Sequence, residues 1–287
     1  MSYRVLFGGG ILDKYNEEIE RLISSGNVPN SFVMEHTYNM CMENDILKNS
    51  IENTNKLAYM VKDEDIVDVK HDSKTTNIII SSKRSFEAAS AYKGKKIAVL
   101  NFANNHNPGG SPWTASAQEE ALCRLSTLYP CLRHFDKEFY EYHIDLYRKY
   151  KMDEFGNADI IYLPNITVFK SDDLKSKVMD NKDWYNVDII TSAAPNLSGL
   201  HYNINKYKEI MYKRIEKIIQ IAKKEGVEVL ILGAFGCGVF HNPPEVVASI
   251  FKELLGKYHF DIVEFAIYSR NTSPNSNYNI FKSILEK

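Results

Sequence analysis

Lys96-Ile97-Ala98-Val99-Leu100-Asn101 runs into Phe102-Ala103-Asn104-Asn105-His106-Asn107-Pro108-Gly109-Gly110-Ser111-Pro112-Trp113, and a helical pattern begins at Ala117-Gln118-Glu119-Glu120. The short aliphatic run between a lysine pair and an asparagine-rich loop predicts a strand buried on both faces. The same order recurs at residues 227–232, followed by Gly233-Ala234-Phe235-Gly236-Cys237-Gly238-Val239-Phe240 and another helical pattern from Pro243. Strand, glycine-containing loop and helix start is the repeating unit of an α/β sheet with right-handed crossovers. Ligands of such sheets bind beyond the carboxyl ends of the strands, which is where both loops fall.

Working outward, runs rich in Ile and Val at residues 77–81, 159–163, 166–169, 187–193 and 262–268 predict further strands. Helical spacing covers residues 117–132, 202–224 and 243–258. For the last of these, Asn242 is the expected N-cap, Pro243 the first helical residue and Glu245 the partner of a capping box. Residues 32–42 and 46–61 also read as helical, so residues 1–74 form an expected N-terminal helical extension and 75–287 the catalytic core. Gly8-Gly9-Gly10 lacks a following Gly-Lys-Ser/Thr and reads as a flexible turn, not a phosphate loop.

Bulk properties narrow the function classes. Of 287 residues, 44% are hydrophobic and 25% charged, the balance of a folded soluble chain. A net charge of −2 argues against broad phosphate-backbone contact, so no direct nucleic-acid binding is expected. Cys41, Cys123, Cys131 and Cys237 form no Cys-x-x-Cys pair, and no His-x-x-x-His spacing occurs, so neither a metal nor another cofactor is expected. No stretch approaches the ~20 apolar residues of a membrane helix, and no secretory pattern is visible, so the expected location is cytoplasmic.

Converging backbone N–H groups and a helix dipole suit both glycine loops to anions, and two of them on neighbouring strands could clamp a diphosphate. Tight turns alone would also account for the glycines. The carboxylates have equally plain alternatives. Ser116 and Glu119 carry capping-box spacing, and Glu120 precedes Arg124 by four, the order of a helical ion pair worth about 0.3–0.5 kcal/mol. Adjacent helical residues diverge by about 100°, so Glu119 and Glu120 are not the facing pair of ordinary glycosidases.

The segment from Lys95 to Leu132, with Asn107-Pro108-Gly109-Gly110 and Gln118-Glu119-Glu120 inside, closely resembles the microbial-type poly(ADP-ribose) glycohydrolases. The resemblance continues through Tyr162-Leu163-Pro164-Asn165, Ser192-Ala193-Ala194-Pro195-Asn196 and Leu232–Phe240 with Asn242-Pro243-Pro244, and covers most of residues 75–270. It implies a macrodomain-like mixed β-sheet sandwiched between helices, with ADP-ribose across the strand ends. It implies Glu120 as the catalytic acid and Glu119 as the group that holds hydroxyls of the ribose being cut. Gly109, Gly110 and the loop Gly236, Cys237, Gly238 and Val239 would hold the diphosphate, Phe240 would pack on the distal ribose, Asn107 would shape the first loop, and Gln118 would join the substrate-binding set. Ser111 stands where the family has a third glycine, so three outcomes are open: its hydroxyl makes a contact of its own, the loop is rearranged, or activity is reduced. Trp113 either lines the pocket or anchors the loop.

The expected reaction is hydrolysis of the ribose–ribose O-glycosidic bond of poly(ADP-ribose) on modified proteins, releasing ADP-ribose. The alternatives are removal of single ADP-ribose groups, hydrolysis of ADP-ribose esters, or a macrodomain that binds ADP-ribose without cutting it. A phosphatase or metal-dependent hydrolase ranks below these, because no metal-ligand cluster is apparent.

Overall fold

The computed structural model describes residues 11–25, 28–72, 74–153, 155–173, 175–269 and 273–286. The Gly8-Gly9-Gly10 turn lies outside them. The chain begins with helices α1 (Ile11–Ser24), α2 (Asn30–Glu43) and α3 (Asp45–Leu57), followed by strands β1 (Tyr59–Val61) and β2 (Asn77–Ser81). Helix α4 (Ser85–Ser90), β3 (Ile97–Phe102), α5 (Gln118–Leu125) and α6 (Leu128–Arg133) come next. A π-helical turn over Asp136–Glu141, α7 (Tyr142–Arg148), β4 (Ile160–Val168) and β5 (Tyr185–Ser192) lead into α8 (Ile204–Lys224). Strand β6 (Val229–Leu232), α9 (Pro244–Leu255), β7 (Ile262–Ala266) and α10 (Asn277–Leu285) complete the chain.

Among the described residues the strands form one sheet in the order β1-β4-β5-β3-β6-β7-β2. Strand β3 is central and parallel to β5 and β6, whereas β4 runs antiparallel to both β1 and β5. The period-2 alternation of β3 divides the core. Ala98 and Leu100 face the cluster that includes α8 and α9, and Ile97 and Val99 face the one that includes α4, α5 and α6. A mixed sheet with helices on both faces is the macrodomain-like arrangement that the resemblance implied.

Several boundaries differ from the sequence reading, each for a local reason. The helical run expected over residues 46–61 stops at Leu57, because Tyr59–Val61 pairs with Ile160–Tyr162 at the sheet edge. The two strands expected at 159–163 and 166–169 are one strand with a bulge. The register shifts between Leu163 and Ile166, and Asn165 takes a φ of 57°. One extra residue reverses the facing, so that Ile161, Leu163, Ile166 and Val168 all reach the same cluster despite the change of parity. The backbone freed at the bulge is satisfied by Thr54 Oγ1, which donates to Pro164 O at 2.9 Å, and by Asp188 Oδ1, which accepts from Asn165 N at 3.0 Å. The helix expected over 117–132 breaks at Ser126, which bridges to Val168, and Pro130 falls in the opening turn of α6, where a missing N–H costs little.

Asn242 is not the cap of α9. Pro243 occupies that position with φ −64° and ψ 116°, and Pro244 opens the helix. The Asn242 side chain is buried and engaged elsewhere: its Nδ2 donates to Pro195 O at 2.8 Å and Gly236 O at 3.0 Å, and its Oδ1 accepts from Tyr207 at 2.9 Å. It thus ties the loop after β6 to the loop after β5. Among the described residues no helix is long and apolar enough to cross a membrane.

Candidate active site

A cleft of about 590 Å³ opens at the carboxyl ends of the central strands, within the usual range for a small-ligand site. Its walls come from the start of α5, the loop after β6, and the segments around Arg84, Asp172 and Tyr268. Glu119 and Glu120 both line it, yet each is almost wholly buried, at 3% and 8% exposure.

Neither carboxylate does what local spacing alone suggests. Glu119 Oε2 accepts from Asn104 N at 2.7 Å and its Oε1 from Asn101 Nδ2 at 3.2 Å, so Glu119 ties α5 to the end of β3 instead of closing a capping box. Ser116 Oγ instead accepts from Asn30 Nδ2. Arg124 directs its guanidinium at the carbonyls of Pro112 and Ala115, at 2.9 and 2.7 Å. Glu120 Oε1 accepts from Ser111 N at 3.1 Å, and its Oε2 is buried with no hydrogen-bond partner among the described residues. A carboxylate oxygen left unsatisfied beside an open cleft is costly unless a ligand or water completes it. Glu120 therefore presents one anchored oxygen and one available oxygen.

Burial pushes the Glu119 carboxyl up to about 8; the neighbouring Glu120 adds to the rise, while bonds from the Asn104 amide, Asn101 and the Gly109 amide pull against it. Glu119 is therefore protonated near neutral pH in the folded chain and ionised in the unfolded one. Between the two titrations the folded state binds the extra proton, so stability falls as pH rises from the ordinary carboxylate range to about 8. The Glu119→Gln protein should lose this slope. Urea midpoints at pH 5.5, 7 and 8.5 should fall less steeply for the variant than for wild type, and parallel curves would show that Glu119 is ionised throughout.

The two glycine loops lie on neighbouring strands, as expected, but they play different parts. In the first, the Gly109 amide is directed at Glu119, the Gly110 amide at Asn107 O (3.0 Å) and the Ser111 amide at Glu120. This loop cradles the carboxylates. Gly110, at φ +64°, lies so close to Glu120 that a Cβ there would overlap its carboxylate. Asn107 accepts that Gly110 bond and donates its own amide to Asn104 Oδ1. The Ser111 side chain is exposed, and Trp113 packs edge-on to Tyr129 at 5.2 Å, which anchors the loop.

The second loop is open. The amides of Gly236, Gly238, Val239 and Phe240 donate to no group among the described residues, and all four residues line the cleft. Cys237 is turned inward, its amide bonded to Ala234 O. A row of unengaged N–H groups in such a loop is an anion-binding concavity. Gln118 lines the cleft too, but its side-chain amide is used within the protein. Its Oε1 accepts from Phe102 N at 2.9 Å, and its Nε2 donates to Leu100 O at 2.8 Å.

Sequence reasoning did not find the third wall. Asp172 Oδ2 accepts from the amides of Phe86 and Glu87, and its Oδ1 is buried without a partner among the described residues. Burial raises this carboxyl to about 6, opposed by the amides of Phe86 and Glu87 and by Arg84. Arg84 stacks over Tyr268 at 4.7 Å, and that ring is 47% exposed. Asn104 likewise went unremarked, although its amide anchors Glu119 and its side chain turns the first loop. Among the described residues no group of three or more His, Cys, Asp or Glu side chains could hold a metal ion.

A family model described as the catalytic domain of microbial-type PARG matches residues 30–171. Among solved structures, the poly(ADP-ribose) glycohydrolase of Thermomonospora curvata bound to the inhibitor ADP-HPD is 26% identical, with a TM-score of 0.76 over 88% of this chain and 98% of that one. Another structure of the Thermomonospora curvata protein gives 0.75 at 25% identity, over 90% and 98%. The poly(ADP-ribose) glycohydrolase of Deinococcus radiodurans in complex with ADP-ribose gives 0.69 at 26% identity, over 82% and 96%. No curated protein matches the chain.

Proposed function

Because this chain belongs to the microbial-type PARG family, we propose that it hydrolyses the ribose–ribose O-glycosidic bond of poly(ADP-ribose) and releases ADP-ribose. The observation that carries this reading is the pairing of Glu120, which lines the cleft and whose buried Oε2 has no partner among the described residues, with the second loop and its four unengaged amides. One supplies a group for proton transfer and the other a place for the diphosphate.

Cleavage passes through an oxocarbenium-like state, in which the leaving oxygen needs a proton and a water must then be activated. Glu120 Oε2 is the group for both steps, first as acid and then as base. Glu119 is bonded to Asn101 and Asn104 rather than opposed to Glu120 across a sugar, so the two do not work as a facing pair. Protonated near neutral pH, it is suited to hydrogen-bond a hydroxyl of the ribose being cut. The second loop takes the diphosphate, with Phe240 against the distal ribose. Beyond it, the Tyr268 face and the unpartnered Asp172 oxygen suit a flat base that carries an amino donor. The substrates in this reading are poly(ADP-ribose) chains on modified proteins in the cytoplasm.

Rates on chain-linked and singly modified protein substrates, measured side by side as free ADP-ribose, test the proposal. Chain-linked substrate should be consumed at least tenfold faster. Preference for the single modification would make the protein a mono-ADP-ribosyl hydrolase, and tight ADP-ribose binding without turnover would make it a reader.

A further inference from the structure

The segment between Ser111 and Ala117 is braced from outside the sheet. Asn30, the first residue of α2, shares the two N–H bonds of its Nδ2 among Thr114 O and Ala115 O, both at 3.1 Å, and Ser116 Oγ at 2.9 Å. Arg124 holds Pro112 O and Ala115 O from the other side, and its own carbonyl accepts from Thr37 Oγ1 of α2. Trp113 packs against Tyr129 and Tyr38, two rings that also meet each other, and Tyr38 is likewise on α2. Inside the segment, the Thr114 and Ala115 amides fold back on Ser111 O, at 3.0 and 2.9 Å. The Ser111 amide, at the inner end of this turn, holds Glu120 Oε1.

These contacts form a continuous chain from α2 to the carboxylate. We infer that Asn30 is a positioning residue for Glu120, acting through the 111–117 turn. The inference rests on Glu120 being the acid/base group, and it adds to that reading the element that fixes Glu120 in place. Three features single out Asn30. It is not needed to start α2, because Pro29 occupies the cap position. Its side chain contacts three successive residues of one turn, more than any incidental surface contact requires. Thr114 O and Ala115 O both accept from it, a bond that an amide can supply and a carboxylate cannot. Ser111 stands where the family has a third glycine, and Pro112-Trp113 follows. A turn with those side chains has bulk of its own and gains a fixed orientation from the helix laid against it.

The reaction is sensitive to such placement, since a shift of about 1 Å at a catalytic group can lower a rate roughly a hundredfold. Asn30→Ala should therefore lower kcat by about tenfold or more. ADP-ribose affinity should stay within about threefold, because the second loop is untouched. Asn30→Asp should be at least as slow, since it removes the donors and sets a negative charge against two carbonyls. Glu35→Ala, an exposed change on the same helix, should keep the wild-type rate.

The test has two arms. Hydrogen exchange read by mass spectrometry should show the peptide spanning 111–117 losing protection in Asn30→Ala, while peptides of β3 and β6 keep theirs. Kinetics on poly(ADP-ribosyl)ated protein should show the fall in kcat without a matching rise in KM. Unchanged exchange in the 111–117 peptide, or an unchanged kcat, would overturn the inference. If wild type itself released no ADP-ribose, the glycohydrolase reading would be what fails, and the exchange arm would still decide whether Asn30 holds the turn.

Discussion

The Glu120→Gln protein is expected to bind ADP-ribose as wild type does and to release it from polymer about a thousandfold more slowly, in the range that loss of general acid–base catalysis produces. The substitution is nearly isosteric. Glutamine keeps an oxygen for the Ser111 amide, so the first loop should hold its shape, and the four amides of the second loop are not involved. What is lost is a group at the Oε2 position that can give and then take a proton. Calorimetry would supply the affinity and single-turnover release the rate. A rate within threefold of wild type would move the chemistry to another group, with Glu119 the nearest. Weakened binding at an unchanged rate would make Glu120 a binding residue.

Gly110→Ala carries the second large effect. Gly110 has a φ of +64°, in the left-handed region that costs an L side chain roughly 1–2 kcal/mol. Its added Cβ would fall on the Glu120 carboxylate and approach Glu119 Oε2 to 3.4 Å, so it would strike the two groups most in need of exact placement. Turnover should drop about a hundredfold or more, beyond any loss of stability. Two neighbours in kind separate the causes. At Gly109 the Cβ would meet Cys123 Sγ at 2.9 Å and the Tyr129 ring at 3.0 Å, so Gly109→Ala should cost more in stability than in the carboxylate geometry. At Gly199, φ is +72° with nothing within 4 Å of a Cβ, so Gly199→Ala should lower the urea midpoint modestly and leave the rate alone. If Gly110→Ala lost activity no more than Gly199→Ala, the close approach to Glu120 would have no functional meaning.

The parts of the fold that were legible in the sequence are those where chemistry repeats along the chain. β3 and β6 are aliphatic runs with no polar face because helices cover both sides of the sheet, and each is followed by glycines because the backbone must turn sharply into a loop. Glu119 and Glu120 could be singled out only by the resemblance, because their spacing alone suits a capping box and a helical ion pair. The β4 bulge could not, since Pro164-Asn165 looks like the end of a strand until Thr54 and Asp188 are seen to satisfy it. Asn242 misled for a similar reason. Its spacing suits a cap, but a buried side chain offered three or four partners across two loops takes those instead.

The candidate site divides along the same line. Sequence placed the carboxylates and the second loop, but not the direction in which the amides of the first loop point. Those at Gly109 and Ser111 turn inward to Glu119 and Glu120, which leaves the unengaged amides on the second loop. Asp172, Arg84 and Tyr268 lie 88, 96 and 184 residues apart pairwise, the differences of their numbers, and carry no local pattern that unites them. Only the pairing of Asp172 with the start of α4, and the stacking of Arg84 on Tyr268, make them one wall. Asn30, well separated from the carboxylates in sequence, reaches them through a turn that no motif describes.

The central claim is that this chain cuts poly(ADP-ribose) with Glu120. The most direct measurement is free ADP-ribose, quantified over time by mass spectrometry, from poly(ADP-ribosyl)ated protein incubated with wild type or with Glu120→Gln. Steady release by wild type and almost none by the variant is the predicted result. Equal release by both, or none by a wild type that binds ADP-ribose tightly, would contradict it.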